Sequence, residues 1–132
     1  MDSTALQVLV VDDDPELCEL VQTLLGRIGV ETASAGSAAE AAQQLKKATL
    51  PDLMILDLML PDVNGLEFLK QMRARSMFDN IPILVLSALV DPDLIKHALD
   101  AGADRYLTKP YLANNLVSTV QELVRSGRRI RS

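Results

Sequence analysis

Short apolar runs alternate five times along the chain with longer segments whose apolar residues recur every three to four positions. The short runs have the length of buried strands, and the longer segments have the periodicity of amphipathic helices. This alternation is typical of a doubly wound α/β domain. The predicted strands are 7–11, 31–35, 52–56, 83–86 and 105–107. The predicted helices are 15–27, 38–48 (capped by Ser37 and Glu40), 66–75, 92–101 and 113–125.

Apolar character differs among the predicted strands. The first, third and fourth are nearly continuous apolar runs, as expected for central parallel strands covered on both faces. The second, at 31–35, is polar enough for an edge, and the short fifth strand fits the other edge. The pattern predicts a five-stranded parallel sheet in the order 2-1-3-4-5, with its switch point between strands one and three.

Polar residues stand where four of these strands end. Asp12 and Asp13 follow the first strand, Asp57 follows the third, Ser87 the fourth, and Lys109 lies just past the fifth. Because the carboxyl ends of parallel strands gather at one edge of the sheet, where ligands bind, we expect these side chains to meet there.

Such a set favours chemistry on phosphate. Asp12, Asp13 and Asp57 would repel one another, which predicts a raised pKa for one of them in the absence of a cation. Mg²⁺ suits the three acids because it accepts a couple of carboxylates, keeps several waters and binds phosphate oxygens. With metal present, Asp57 can act as a carboxylate nucleophile. Lys109 would offset charge on the phosphoryl oxygens, and Ser87 would donate a hydrogen bond to one of them.

Each of these residues alone has a simpler structural interpretation. An isolated strand-end aspartate is usually a cap or turn residue, and we assign Asp14 and Asp52 to that role. Ser87 alone would be a cap, and Lys109 alone a solvated surface residue. The neighbouring Pro110 favours a fixed direction for Lys109. The coincidence of four polar sites at strand ends favours the functional interpretation.

Composition and charge narrow the possible partners. The chain has 132 residues, which fits one domain. Residues 1–124 carry nine of the thirteen cations and all eighteen acids, a net charge of −9, which argues against nucleic-acid binding by this domain. We expect a globular domain over 1–126 and a basic tail or the start of a linker over 127–132.

The single cysteine and the hydropathy pattern bear on the compartment. Cys18 is the only cysteine, so no intrachain disulfide can form, and we expect a reducing cytoplasm. Cys18 is interpreted as a packing residue of the first helix. The sequence has no apolar stretch near 18 residues and no signal-peptide pattern, so we expect no membrane insertion.

Four segments together resemble a known family. They are VVDDD at 10–14, LDLMLP at 56–61 followed by Asn64 and Gly65, LSA at 86–88, and AGADRYLTKP at 101–110. In order and spacing they resemble the receiver domain of two-component response regulators, including chemotaxis-type single-domain receivers. The resemblance covers about residues 6–125 and implies a flavodoxin-like (β/α)5 fold.

The resemblance also implies roles for the site residues. Asp57 would accept a phosphoryl group from a histidine kinase or a phosphotransfer protein. Asp13, Asp57 and the main-chain carbonyl of Met59 would ligate Mg²⁺ directly, while Asp12 would act largely through water. Lys109 would contact the phosphoryl group.

The same resemblance implies a signalling switch rather than an enzyme that acts on other substrates. Ser87 would move towards the phosphoryl group and Tyr106 would swing inwards behind it, which would change the face formed by helix four, strand five and helix five. The partner there would be a downstream protein or a fused output domain. A phosphorylation-dependent dimer stays open, although Arg105 replaces an acid that supports dimerisation in the winged-helix branch. Met59 and Leu89, which flank the line of water attack in the family, are apolar and predict slow self-dephosphorylation.

Two other functions share parts of this pattern. A haloacid-dehalogenase-like phosphatase also uses an aspartyl nucleophile and Mg²⁺, but it places a second acid two residues after the nucleophile, where this chain has Met59. A flavodoxin-like electron carrier needs a loop rich in Ser and Thr after the first strand. The acids at 12–14 would repel the flavin phosphate there.

Overall fold

The computed structural model describes residues 5–47, 49–109 and 113–127. Within these ranges, five parallel strands pair into one sheet: β1 (Gln7–Val11), β2 (Glu31–Ala35), β3 (Leu53–Leu56), β4 (Ile83–Ser87) and β5 (Arg105–Thr108). Their order across the sheet is β2-β1-β3-β4-β5, which confirms the predicted topology. Val11 pairs with Ala35 on one side and with Leu56 on the other, so the ends of β1, β2 and β3 are level.

Helices follow each strand. They are α1 (Pro15–Gly26), α2 (Ala38–Leu45), α3 (Gly65–Arg73), α4 (Pro92–Asp100) and α5 (Ala113–Ser126). A short 3-10 helix (Ser76–Phe78) after α3 was not predicted. Two helices end early by more than one residue. The helix α2 ends at Leu45 rather than near 48, because the chain turns at Lys46, whose N–H bonds to the Gln43 carbonyl, and α3 ends at Arg73 rather than at 75. Residue 48 and, apart from residue 127, the predicted tail at 127–132 lie outside the described residues.

The core has two layers because alternate strand residues point to opposite faces of the sheet. One face, with Leu9, Met54 and Leu56, packs against α2, α3 and α4. The other face, with Val8 and Ile55, packs against α1 and α5. The central strand β3 is buried along its whole length, while β2 is largely exposed, as expected for an edge. No helix in the described part of the chain is long and apolar enough to cross a membrane.

Asp14 has the predicted cap role, whereas Asp52 makes a long-range contact with the main chain instead of a cap or turn. The Asp14 carboxylate accepts hydrogen bonds from the main-chain N–H groups of Glu16 and Leu17 and so caps α1. The Asp52 carboxylate accepts from the Gln7 N–H at 2.8 Å and fixes the start of β1. Both carboxylates therefore stabilise the fold through hydrogen bonds to main-chain N–H groups.

Candidate functional site

Three of the predicted acids meet at the carboxyl edge of the sheet. Asp12 and Asp13 follow β1, and Asp57 follows β3, the strand paired with β1. Carboxylate oxygens from all three lie within 4.8 Å of one another. Asp12 and Asp57 are 4% and 3% exposed, whereas Asp13 faces solvent. The site is therefore a small acidic pocket, open on the side of Asp13.

Lys109 bridges two of these acids. Its Nζ lies 2.9 Å from Asp57 Oδ2 and 3.1 Å from Asp12 Oδ2. Lys109 stands just beyond the end of β5, so its long side chain reaches across the end of β4 to the acids. One ammonium thus holds two carboxylates that would otherwise repel each other. Pro110, from which a fixed direction of this lysine was predicted, lies outside the described residues.

The pKa shifts follow from this arrangement. Burial, aided by the charge of Asp57, raises the pKa of Asp12 against the opposing effects of the Asp14 N–H and Lys109. The predicted raised pKa is therefore found at Asp12, and burial contributes more than repulsion. For Lys109, burial lowers the pKa, but the hydrogen bonds to Asp57 and Asp12 outweigh it and raise the pKa overall. Lys109 thus keeps its charge at neutral pH.

The loop between β3 and α3 folds back on itself beside Asp57. Asp57 Oδ1 accepts the Met59 N–H at 3.1 Å, and the Gly65 N–H bonds to the Leu58 carbonyl at 2.9 Å. Met59 and Asn64 form an antiparallel bridge across the loop. Position 65 requires glycine, because a Cβ there would overlap the Leu58 backbone. The loop is a closed hairpin that places the Met59 backbone next to the carboxylate of Asp57.

Ser87 and Tyr106 both contact the residue Leu89, which lies between β4 and α4. The Leu89 N–H donates to Ser87 Oγ at 3.2 Å, and the Tyr106 hydroxyl donates to the Leu89 carbonyl at 2.6 Å. Ser87 is fully buried, and burial together with the charge of Asp57 raises the pKa of Tyr106. The two predicted switch residues are thus linked through one loop residue, although their movement stays a prediction.

The donor set fits Mg²⁺. Its side-chain donors are carboxylate oxygens, which hard divalent cations prefer, and the exposure of Asp13 leaves room for the waters that Mg²⁺ retains. Met59 has its backbone held beside Asp57 by the hairpin, in keeping with the role that the resemblance gives to its carbonyl. The assignment of individual ligands stays a prediction.

Two contacts were not predicted from the sequence, one beside the site and one at the opposite edge of the sheet, where β4 and β5 begin. Arg73 at the end of α3 forms a buried ion pair with Asp104 just before β5. Asp62, which the sequence marks only as a turn residue, binds the first N–H groups of α2. Both contacts join residues more than twenty positions apart, so no local pattern could have indicated them.

Cys18 lies under the acidic pocket as a packing residue. Its Sγ is 3.4 Å from the Asp12 carbonyl, and the side chain packs against the core shared by α1 and α5. Burial, with the charges of Asp12 and Asp14, raises the pKa of this thiol above its usual 9.0. The surroundings are those of an unreactive cysteine.

Alkylation of Cys18 should therefore be slow in the folded protein. A raised pKa leaves less thiolate at any given pH, so we expect a rate at pH 8 well below that of the unfolded chain. Reaction with iodoacetamide, followed by intact mass with and without urea, measures this ratio at the only cysteine of the chain. Equal rates in the two conditions would contradict the packing interpretation.

A family model and two curated relatives point to the same protein family. The sequence model of the family described as "Response regulator receiver domain" matches residues 8–121. The DNA-binding response regulator MtrA of Mycolicibacterium smegmatis is 38% identical over 125 residues, which cover 95% of this chain and 53% of that protein. The phosphate regulon transcriptional regulatory protein PhoB of Escherichia coli (strain K12) is 34% identical over 121 residues, covering 92% of this chain and 52% of that protein. The chain thus spans about half the length of these two relatives.

Solved structures with a similar fold are also response regulators. The chemotaxis response regulator CheY4 of Vibrio cholerae superposes with a TM-score of 0.83 at 32% identity, covering 91% of this chain and 99% of that one. The receiver domain of the Francisella response regulator 1452 gives a TM-score of 0.81 at 32% identity, covering 90% of this chain and 96% of that one.

Proposed function

The chain belongs to the response regulator receiver domains of two-component systems, which are signalling switches, and we propose that it is switched by phosphorylation of Asp57. The donor would be the phosphohistidine of a histidine kinase or a phosphotransfer protein. The observation that carries the proposal is the Lys109 ammonium, held 2.9 Å from Asp57 and 3.1 Å from Asp12. The pocket then contains the carboxylate proposed as nucleophile, the ammonium group of a lysine and two further carboxylates.

The transfer step uses these groups directly. An oxygen of Asp57 forms the new P–O bond while the P–N bond of the phosphohistidine breaks, and the bonding pair leaves with the imidazole nitrogen. Lys109 already contacts Asp57 Oδ2 and lies where it can pair with a phosphoryl oxygen. Asp12, Asp13 and Asp57, with the Met59 carbonyl, would hold Mg²⁺. When bound, the ion supplies positive charge that stabilises the phosphoryl oxygens.

The output of the switch is proposed to lie on the face formed by α4, β5 and α5. Ser87 and Tyr106 connect the pocket to that face through Leu89, so a move of either residue would shift the start of α4. On the same face, Arg105 pairs with Glu122 at 2.7 Å within one chain. Arg105, which replaces an acid of the winged-helix branch, is thus engaged within its own chain, while a phosphorylation-dependent dimer stays open.

The partner is proposed to be a downstream protein or a fused output domain in the cytoplasm. MtrA is named as a DNA-binding response regulator, so a DNA-binding output is one form that a fused domain could take. The strongly acidic residues 1–124 favour contact with such a domain over direct contact with DNA.

The phosphatase alternative gains no support from these relatives. The residue two positions after Asp57 is Met59, whose side chain is apolar and 57% exposed. It cannot serve as the second acid that the alternative requires.

Removal of Mg²⁺ should abolish phosphorylation. Without the ion, an incoming phosphoryl group would meet three neighbouring acids balanced by one lysine. The test incubates the protein with a small phosphodonor, in Mg²⁺ or in excess chelator, and follows intact mass. We expect a phosphorylated species in Mg²⁺ and almost none in chelator. Equal labelling in the two samples would contradict the proposal.

Hydrolysis of the phosphorylated protein should be slow. Met59 and Leu89 carry no group that could hold an attacking water. Introducing a carboxylate as Met59→Glu should speed the loss of phosphate by about tenfold, because a general base would then stand beside the attacking water. The phosphorylated mass is followed over time after the donor is removed. A wild-type lifetime as short as that of the variant would contradict the shielding role.

A further inference from the structure

Asp62 ties the site loop to a neighbouring helix. Its Oδ1 accepts the Ala38 N–H and its Oδ2 accepts the Ala39 N–H, both at 3.0 Å. These are the first two N–H groups of α2, which have no partner within the helix. A carboxylate from the β3–α3 loop therefore provides a long-range cap for α2. The same hydrogen bonds lower the pKa of Asp62, so the side chain stays ionised at neutral pH.

The contact between Asp62 and α2 lies close in the fold to the acidic pocket. Asp62 lies at the tip of the hairpin closed by Met59 and Asn64. The start of α2 follows β2, whose last residue Ala35 accepts the Asp12 N–H at 2.9 Å. Since β2 and β3 flank β1, the contact joins the chain segments on either side of the strand that carries the paired acids. We call this contact the α2 clasp.

We propose that Asp62 is a positioning residue whose α2 clasp holds the Met59 backbone beside Asp57 and thereby sets the affinity of the acidic pocket for Mg²⁺. This inference rests on the proposed function, because it concerns the same metal-dependent site. Asp62 faces solvent, so its role is to restrain the loop rather than to bind the ion. Freed of the clasp, the hairpin would have to be ordered when the ion binds, and that ordering would weaken binding.

The hairpin is held at its base and at its tip by different residues. The α2 clasp can therefore be removed by mutation without changing the residues at the base. At its base, the Met59 N–H bonds to Asp57 and the Gly65 N–H bonds to Leu58. At its tip, the inter-element restraint is the carboxylate of Asp62 on α2. A change at position 62 therefore alters no residue of the base, so a loss of order at Met59 would come from release of the tip.

Ser37 offers a matched control at the same helix end. Its Oγ accepts the Glu40 N–H at 3.1 Å, so it caps α2 from within the β2–α2 segment. Ser37→Ala removes a cap from α2 without touching the β3–α3 loop. A purely structural effect through α2 would appear in this variant as well.

The test is a titration of each folded protein with Mg²⁺ alone, followed by the amide NMR shifts around the pocket. We expect Asp62→Ala to bind Mg²⁺ about tenfold more weakly than wild type, as is typical when a supporting residue behind a metal ligand is removed. Asp62→Asn should recover part of the affinity, because its amide oxygen can replace one of the two acceptors. Ser37→Ala should stay within about twofold of wild type, since the loop keeps its restraint.

Equal Mg²⁺ affinity for Asp62→Ala and wild type would overturn the proposal, as would equal weakening in Ser37→Ala. These outcomes leave the proposed function standing, because wild type still binds the ion. A wild-type protein that binds no Mg²⁺ would contradict the proposed function and this inference together.

Discussion

An Asp57→Asn variant should fold as wild type does and take up no phosphoryl group. The amide that replaces the carboxylate has no negative charge and is a poor nucleophile. Folding should survive because Lys109 keeps its contact with Asp12 at 3.1 Å, and the change removes one of three crowded acids. Incubation with a small phosphodonor and Mg²⁺, followed by intact mass, should show complete loss of labelling, the largest effect expected at this site.

A second aspartate, beside the other end of β3, provides the control for this experiment. Asp52 precedes β3, at the end opposite Asp57, and accepts the Gln7 N–H at 2.8 Å. Asp52→Asn makes the same chemical change and keeps an oxygen acceptor for Gln7, so it should be labelled as wild type is. Labelling of Asp57→Asn to the wild-type extent would show that another residue is the acceptor.

The clustering of the acids could be predicted because strand ends are visible in the sequence. Apolar runs stop at Val11 and Leu56, and a parallel sheet places those two ends at one edge. The polar second strand and the short fifth strand indicated the two edges, which agrees with the doubly wound order 2-1-3-4-5. The acids at 12, 13 and 57 then had to lie close together, whatever the details of the loops.

Contacts that depend on loop geometry could not be predicted in this way. The sequence places Lys109 near the pocket but not between Asp57 and Asp12, because the reach of its side chain depends on the end of β5. Asp62 was recognised only as a turn former, since its partners at the start of α2 lie 23 and 24 residues away. Arg73 has the sequence context of an exposed helix end, yet the fold buries it.

Arg73 joins α3 to three other parts of the chain. Its guanidinium donates to the carbonyls of Phe78, Ile81 and Gly102 and to Asp104 Oδ2, which is 3.1 Å away. The side chains of Arg73 and Asp104 are 9% and 1% exposed. The planar guanidinium, with several donors in fixed directions, is suited to hold carbonyls and a carboxylate together.

Replacement of Arg73 by methionine should therefore destabilise the domain strongly. Methionine retains much of the apolar stem, but Asp104 is left as a buried charge without its cation, a change that typically costs about 3–5 kcal/mol. That is a large share of the roughly 5–15 kcal/mol that stabilises a typical domain. Urea unfolding should show a midpoint lowered by about 2 M, for a denaturant dependence of about 2 kcal/mol per M.

Two further variants separate the buried charge from a general effect of losing an arginine. Arg75 is exposed and lies 5.8 Å from the ring of Phe78, so Arg75→Ala should cost only about 0.5–1 kcal/mol.

The double variant Arg73→Met with Asp104→Asn should be more stable than Arg73→Met alone. Its asparagine oxygen can still accept the Ile83 N–H, which bonds to Asp104 at 2.9 Å, but it carries no charge to bury. If the double variant is no more stable than Arg73→Met, the loss comes from the hydrogen bonds that Arg73 donates to the carbonyls of Phe78, Ile81 and Gly102 rather than from its ion pair with Asp104.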